Sequence, residues 1–219
     1  MGTDYSEFID RLKEERIRRR SSQKEMAYLI HITQSNYSKV EKGLHRLSYE
    51  ELKYLLKTQI DMLYVFTGFR YSEKYSEQFK QFTYTELCCF LHIIFSIIAL
   101  NDYKTDSNEW RDVLTRVKYV PFVSIYSKNY SIFHVIRYMT DSRQKTMADK
   151  LGVDIKKYRE LEKDRCLPDS EIIWKLYHLY NVSPAIVLKD KNSLIREIST
   201  LLEMLEEKGV NVMNIIKLV

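Results

Sequence analysis

Gln34, Ser35, Asn36 and Lys39 are the residues whose types and spacing point most directly to chemistry, and that chemistry is recognition. Tyr37 and Val40 stand at a helical spacing that suits a core, which turns those four polar residues outward on the same helix. A carboxamide can match both the donor and the acceptor on the major-groove edge of adenine, and lysine or arginine can reach guanine or phosphate. Arg18-Arg19-Arg20, next to Arg16, form a cluster of the kind that holds a phosphate backbone without reading sequence. A solvated helix end is the plainer use of such a triplet. Catalytic groupings are missing. The five histidines (His31, His45, His92, His134, His178) form no metal-spaced pair, and no Cys-x-x-Cys occurs. There is no glycine-rich dinucleotide loop, P-loop or nucleophile elbow, and the Asp/Glu pairs fit helix caps or solvated faces. The expectation is a non-enzyme with no catalytic residues, no metal and no cofactor.

The elements that must position these residues are short helices with consistent punctuation. Asp4-x-x-Glu7 opens a helix with Phe8, Ile9, Leu12 and Ile17 on its apolar side. Ser22 and Glu25 form a capping box, and the second helix turns Met26, Ala27 and Ile30 inward before stopping at His31-Ile32. Thr33 caps a third helix that Gly43 closes. Ser48 and Glu51 make another capping box before Leu52, Leu55 and Leu56, and a fifth helix, Asp61 to Phe66, ends at Gly68.

The same layout recurs 121 residues later. Gln23-Lys24 falls on Gln144-Lys145, Met26-Ala27 on Met147-Ala148, Tyr37 on Tyr158 and Glu41-Lys42 on Glu162-Lys163. Ile30, Ile32 and Val40 meet Leu151, Val153 and Leu161, and Thr33 meets Asp154, another capping residue. Identities and inward apolar positions stay in one register, which marks an internal repeat. Ala27 and Ala148 are small where two helices must cross closely, and a larger side chain would overpack.

Gln23-Lys24-Glu25-Met26-Ala27 followed by Ile32-Thr33-Gln34-Ser35-Asn36-Tyr37-Ser38-Lys39-Val40-Glu41-Lys42-Gly43 resembles the lambda-repressor-like, Cro-type (XRE-type) helix-turn-helix family. The resemblance covers about residues 5–67 and again about 131–188, roughly half of the chain. It implies a recognition helix, Thr33 to Lys42, docked by its N-terminal residues in the major groove of double-stranded DNA. Thr33, Gln34, Ser35, Asn36 and Lys39 are then candidate DNA contacts, with Gln34, Asn36 and Lys39 reading or positioning; by the resemblance Gln23 and Ser38 lie on the phosphate side, where Arg18, Arg19 and Arg20 would add their charge. The second copy has Gly152 at the turn where the first has His31, but it departs on the outward face: Ile155 replaces Gln34 and Glu160 replaces Lys39. Lys156, Lys157, Arg159 and Lys163 keep that helix basic, with Arg143, Gln144 and Lys145 at the start of its partner. Gln144, Lys145, Lys156, Lys157 and Arg159 are its candidate DNA contacts; the alternative is a fold kept for packing or dimerisation.

Between and after the copies the chain is neutral. Residues 1–70 carry 13 basic and 10 acidic side chains, 71–130 seven of each, 131–190 11 and 9, and 191–219 four of each. Thr83 to Leu100 opens on Thr83-x-x-Glu86 and is apolar nearly all round (Phe90, Leu91, Ile93, Ile94, Phe95, Ile97, Ile98), as befits a core or an interface. Cys88 and Cys89 on that helix read as small core residues, with redox sensing the sharper alternative. Asp106 to Tyr119 reads as a further helix and Phe122 to Tyr126 as a short extended segment. In the tail, Leu194, Ile198, Leu201 and Leu205 make a seam for either a coiled coil or docking on the chain's own domain. Apolar Val210 to Val219 could dock on a partner.

Composition bounds the rest. Five glycines and three prolines in 219 residues are too few turn formers for sandwiches, barrels or glycine-looped nucleotide folds. Three cysteines build no disulfide framework, so a reducing cytoplasm fits. The most apolar stretch, the 14 residues from Leu87 to Leu100 with His92 among them, falls short of a membrane span, and the N-terminus lacks a signal pattern. The sequence therefore predicts an all-α protein: a helix-turn-helix domain at 1–70, a helical core or dimerisation segment at 71–130, a second helix-turn-helix-like domain at 131–190, and a C-terminal amphipathic helix and tail at 191–219. The function expected is a cytoplasmic, nucleoid-associated transcriptional regulator of bacterial or phage type, a repressor, bound to double-stranded DNA as a homodimer and away from membranes. The alternative is an interaction module, antitoxin-like or partner-binding, in which the copies mainly pack; a small-molecule sensor using the apolar middle stands third.

Overall fold

A computed structural model of the chain describes residues 4–100 and 130–217, with side chains omitted at 99 and 100. The expected helix Asp106 to Tyr119 and the extended segment Phe122 to Tyr126 lie outside those residues. Every regular element among the described residues is a helix. In chain order they are α1 (Ser6–Arg18), α2 (Gln23–Leu29), α3 (Gln34–Glu41), α4 (Tyr49–Leu56), α5 (Met62–Thr67), α6 (Ser76–Phe79) and α7 (Tyr84–Leu100). After residue 130 follow α8 (Ile132–Met139), α9 (Gln144–Leu151), α10 (Ile155–Glu162), α11 (Ser170–Tyr180), α12 (Pro184–Val187), α13 (Lys191–Glu207) and α14 (Val212–Ile216).

The helix starts are set by the side chains that the sequence singles out. Ser22 with Glu25 and Ser48 with Glu51 form reciprocal capping boxes, and Thr33 accepts the Asn36 N–H at 3.2 Å. Thr83 and Glu86 bond each other's backbone in the same way ahead of α7. Asp4 behaves differently from the expected cap: the N-cap position falls on Tyr5, and the Asp4 carboxylate accepts the Ser6 N–H. Ile17 also departs from expectation. It is 57% exposed, because the last turn of α1 runs beyond the core.

The 121-residue register holds at the level of backbone. N-caps recur at Ser22 and Arg143, Thr33 and Asp154. Left-handed residues recur at Arg20 and Asp141, His31 and Gly152, Gly43 and Asp164. Such a conformation suits glycine, and His31 adopts φ +59° where Gly152 has +70°. The tight turn is therefore imposed by packing of α2 on α3 in the first copy and eased by residue choice in the second.

The chain divides into two compact units, neither of them contiguous: 1–70 with 141–180, and 71–140 with 181–219. The first unit packs Phe8, Leu12, Met26, Tyr37, Val40, Leu52 and Phe66 with Met147, Tyr158, Leu161 and Trp174, all nearly or wholly excluded from solvent. Phe8 packs on Phe66 at 4.8 Å between ring centroids, and the Trp174 edge meets Tyr5 and Phe8 at 6.3 Å each. Polar groups tie the same unit together across more than a hundred residues. Ser170 donates its N–H to the Leu47 carbonyl and its Oγ accepts the Leu47 N–H, while the Tyr5 hydroxyl lies 2.6 Å from that Oγ. Arg46 donates to Glu171 at 2.5 Å and lies over the Tyr5 ring.

In the second unit, α7 and α13 share one apolar cluster. Leu87, Phe90, Leu91 and Ile94 pack with Leu194, Ile198, Leu201 and Leu205, joined by Val212 and Ile215 of α14. The tail seam is thus covered by the chain's own helices, the docked form of the two that its spacing allows. Helical rotation of about 100° per residue separates the two adjacent cysteines. Cys88 is buried, and burial pushes its thiol up to about 12. Cys89 is exposed, which corrects its expected place in the core. No helix among the described residues is long and apolar enough to cross a membrane.

Candidate functional site

The outward face of α3 is built by what its inward face buries. Tyr37 and Val40 have no solvent exposure, and with them fixed the helix presents Gln34, Ser35 and Lys39 as exposed side chains, with Asn36 and Ser38 half-buried. Thr33, exposed at the start, uses its hydroxyl to accept the Asn36 backbone N–H. Gln34, Ser35 and Lys39 are therefore the exposed polar side chains of α3, with half-buried Asn36 on the flank opposite Gln34.

Gln23 is held more tightly than its sequence position suggests. Its Nε2 donates to Glu41 at 2.7 Å, and Arg16 grips the same carboxylate through two nitrogens at 2.5 and 3.1 Å. Arg16 also donates to the Ser21 carbonyl. The Glu41 side chain is 4% exposed and that of Arg16 13%. This triad locks the N-terminus of α2 to the C-terminus of α3. Sequence reasoning passed over Arg16 and Glu41 as site residues, yet the signal was there: the 121-residue shift puts Glu162 on Glu41, Gln144 on Gln23 and Arg137 on Arg16.

Two of the three arginines in the triplet have intramolecular partners. Arg18 bonds Glu15 through Nε and Nη2, and Arg19 donates to Gln59 at 2.7 Å. Glu15 has no solvent exposure and also receives Arg70 and the Asp61 N–H. Burial alone would raise its pKa, but the hydrogen bonds from Arg18 and Arg70 hold it below the ordinary glutamate value. Arg20 differs from both: it is exposed, in the left-handed region, two residues before the α2 cap.

The second copy repeats the frame and changes the face. Gln144 donates to Glu162, and Arg159 donates back to Gln144 at 3.2 Å. Tyr158 and Leu161 fill the inward side of α10 with no exposure. Lys145, Lys156 and Arg159 are exposed, whereas Lys157 is half-buried and paired with Asp169 at 3.2 Å. Ile155, the first residue of α10, is 38% exposed. Comparison with family models, with curated proteins and with solved structures returned no match.

Proposed function

We propose that this protein is a sequence-specific regulator of transcription that binds double-stranded DNA with α3 in the major groove. The observation that carries the reading is the polar side of α3, with Gln34, Ser35 and Lys39 exposed and Asn36 half-buried opposite the buried Tyr37 and Val40, on a helix whose start is capped by Thr33. In this reading Gln34 and Asn36 read base edges, with Lys39 at a base or phosphate. Ser38 and Gln23 contact phosphate; a carboxamide has two N–H donors, so Gln23 keeps one after bonding Glu41. Exposed Arg20 and Lys24 complete the phosphate grip beside the start of α2, while Arg18 and Arg19 stay with Glu15 and Gln59.

Sheared genomic DNA of the source, incubated with the protein at physiological salt and sequenced after retention, tests the reading. Specific sites typically bind about a thousandfold or more tighter than bulk DNA, so one or a few fragments should be enriched. The spacing and symmetry of paired half-sites in them would distinguish a homodimer from tandem use of the two copies. A Gln34→Ala, Asn36→Ala variant should lose that preference, since each bidentate base contact is worth about 1–3 kcal/mol of discrimination. Retention without selection in the wild type, or an unchanged preference in the variant, overturns the reading.

A further inference from the structure

We propose that the second copy is also a base reader and that it reads a different group: Ile155 contacts the C5-methyl of a thymine where Gln34 meets an adenine edge, so the chain's target is asymmetric. This rests on the DNA-binding reading of the first copy and extends it to α10. Ile155 follows the capping residue Asp154 as Gln34 follows Thr33, in helices that start at equivalent positions of the repeat. The caps are alike: the Asp154 carboxylate accepts the Lys157 N–H at 2.8 Å, as Thr33 accepts that of Asn36. The inward side of α10 is already filled by Tyr158 and Leu161, so Ile155 is not needed there and remains 38% exposed.

Ile155 is thus only partly covered, and its neighbours include basic side chains. Exposed Lys156 and Arg159 stand on the same helix, and exposed Lys145 at the start of α9. Of the carboxylates on α10 and its cap, Glu162 accepts from Gln144, Asp154 from the Lys157 N–H, and Glu160 lies 4.0 Å from Arg165. An apolar tip framed by cations matches the one base edge in the major groove that offers a methyl group, with phosphates flanking it.

The test uses the full-length protein and the fragment enriched by the wild type. Thymines are replaced one at a time by uracil, which deletes only the C5-methyl, and Kd is measured for wild type and Ile155→Ala. The wild type should lose about fourfold in affinity at one thymine outside the bases affected by Gln34→Ala, the worth of one buried carbon. Ile155→Ala, assayed well below its thermal midpoint, should bind the thymine and uracil forms equally. A wild type indifferent to uracil at every position overturns the proposal, as does an Ile155→Ala variant that keeps the sensitivity. If those results appear while Gln34→Ala, Asn36→Ala still abolishes selectivity, the first copy's reading stands alone. Failure to enrich any fragment overturns both.

Discussion

Removing the Glu41 carboxylate is the sharpest perturbation of the frame behind the proposed reading face. Its two oxygens accept three hydrogen bonds, two from Arg16 and one from Gln23, in a pair whose side chains are 4% and 13% exposed. Glu41→Ala would leave the Arg16 guanidinium with the Ser21 carbonyl, at 2.9 Å, as its remaining partner. Breaking a buried ion pair by deleting one member costs about 3–5 kcal/mol. The surviving Ser21 bond and the small residual exposure of Arg16 reduce the expected loss to about 2–3 kcal/mol. Glu41→Gln keeps an acceptor and should cost less. Urea denaturation followed by far-UV circular dichroism reads this as a lower midpoint at unchanged slope. Arg16→Ala in the Glu41→Ala background should add less than Arg16→Ala alone, because the two share one interaction. Gln23→Ala separates frame from function: about 1 kcal/mol of stability for one hydrogen bond, with weaker DNA binding at an unchanged salt slope, since a neutral carboxamide displaces no counterion. A Glu41→Ala midpoint within about 0.5 kcal/mol of wild type, the level of an ordinary surface change, would refute the buried triad.

Ser170→Ala should destabilise by about 2–3 kcal/mol, because it strands the buried Leu47 N–H and the Tyr5 hydroxyl; a near-neutral urea midpoint would count against that link, and adding Tyr5→Phe should recover part of the loss. Acid should weaken the fold through Glu15 and Glu171. At each, burial raises the pKa but arginine and lysine or arginine pairs prevail and hold it below the ordinary 4.5. The unfolded chain then binds protons at higher pH than the folded one, so this stability is complete above 4.5 and fades as pH falls through the lower folded values. Glu15→Gln should flatten that acid limb, and an unchanged pH profile of the melting midpoint would refute the assignment. Thiol labelling of the native protein should modify exposed Cys89 first and leave Cys88, buried with its thiol pushed up to about 12, until unfolding; equal rates at the two would contradict their opposite faces.

Much of the local structure was legible because it depends on neighbours in sequence. The capping boxes at Ser22 and Ser48, the Thr33 and Asp154 caps and the Gly68 stop all rest on contacts within four residues, and they appear where the pattern puts them. The inward choice of Tyr37 and Val40 follows from helical periodicity in the same way. What could not be read depends on residues far apart. Nothing around Arg19 announces that Gln59, 40 positions on, will hold it, whereas Glu15 stands one helical turn before Arg18 and that pair is local. Ser170 is an ordinary first-turn residue until Leu47, 123 positions earlier, presents its backbone. The division into discontinuous units has the same origin: Trp174 meets Phe8 and Tyr5, and no short window of sequence contains both sides of that contact.

Comparing the two copies separates what packing demands from what it leaves open. Met26 and Met147, Ala27 and Ala148, Tyr37 and Tyr158 are identical and almost wholly buried, as close packing requires of residues shared by two helices. The Gln–Glu bond across the helix pair is also kept, in a half-buried position where its loss would strand polar groups. On the outward side this agreement stops: Gln34 against Ile155, Ser35 against Lys156, Asn36 against Lys157, Lys39 against Glu160. Of those, Gln34, Ser35, Lys39 and Lys156 are exposed, so stability does not choose their residues, whereas Lys157 is half-buried and paired with Asp169. Changing exposed Gln34 should therefore move the fold little, within about 0.5 kcal/mol, and any large effect on DNA selection belongs to the face itself; truncating Ile155, which is 38% exposed, also removes some packing. That separation lets recognition be tested at these positions without confusing it with unfolding.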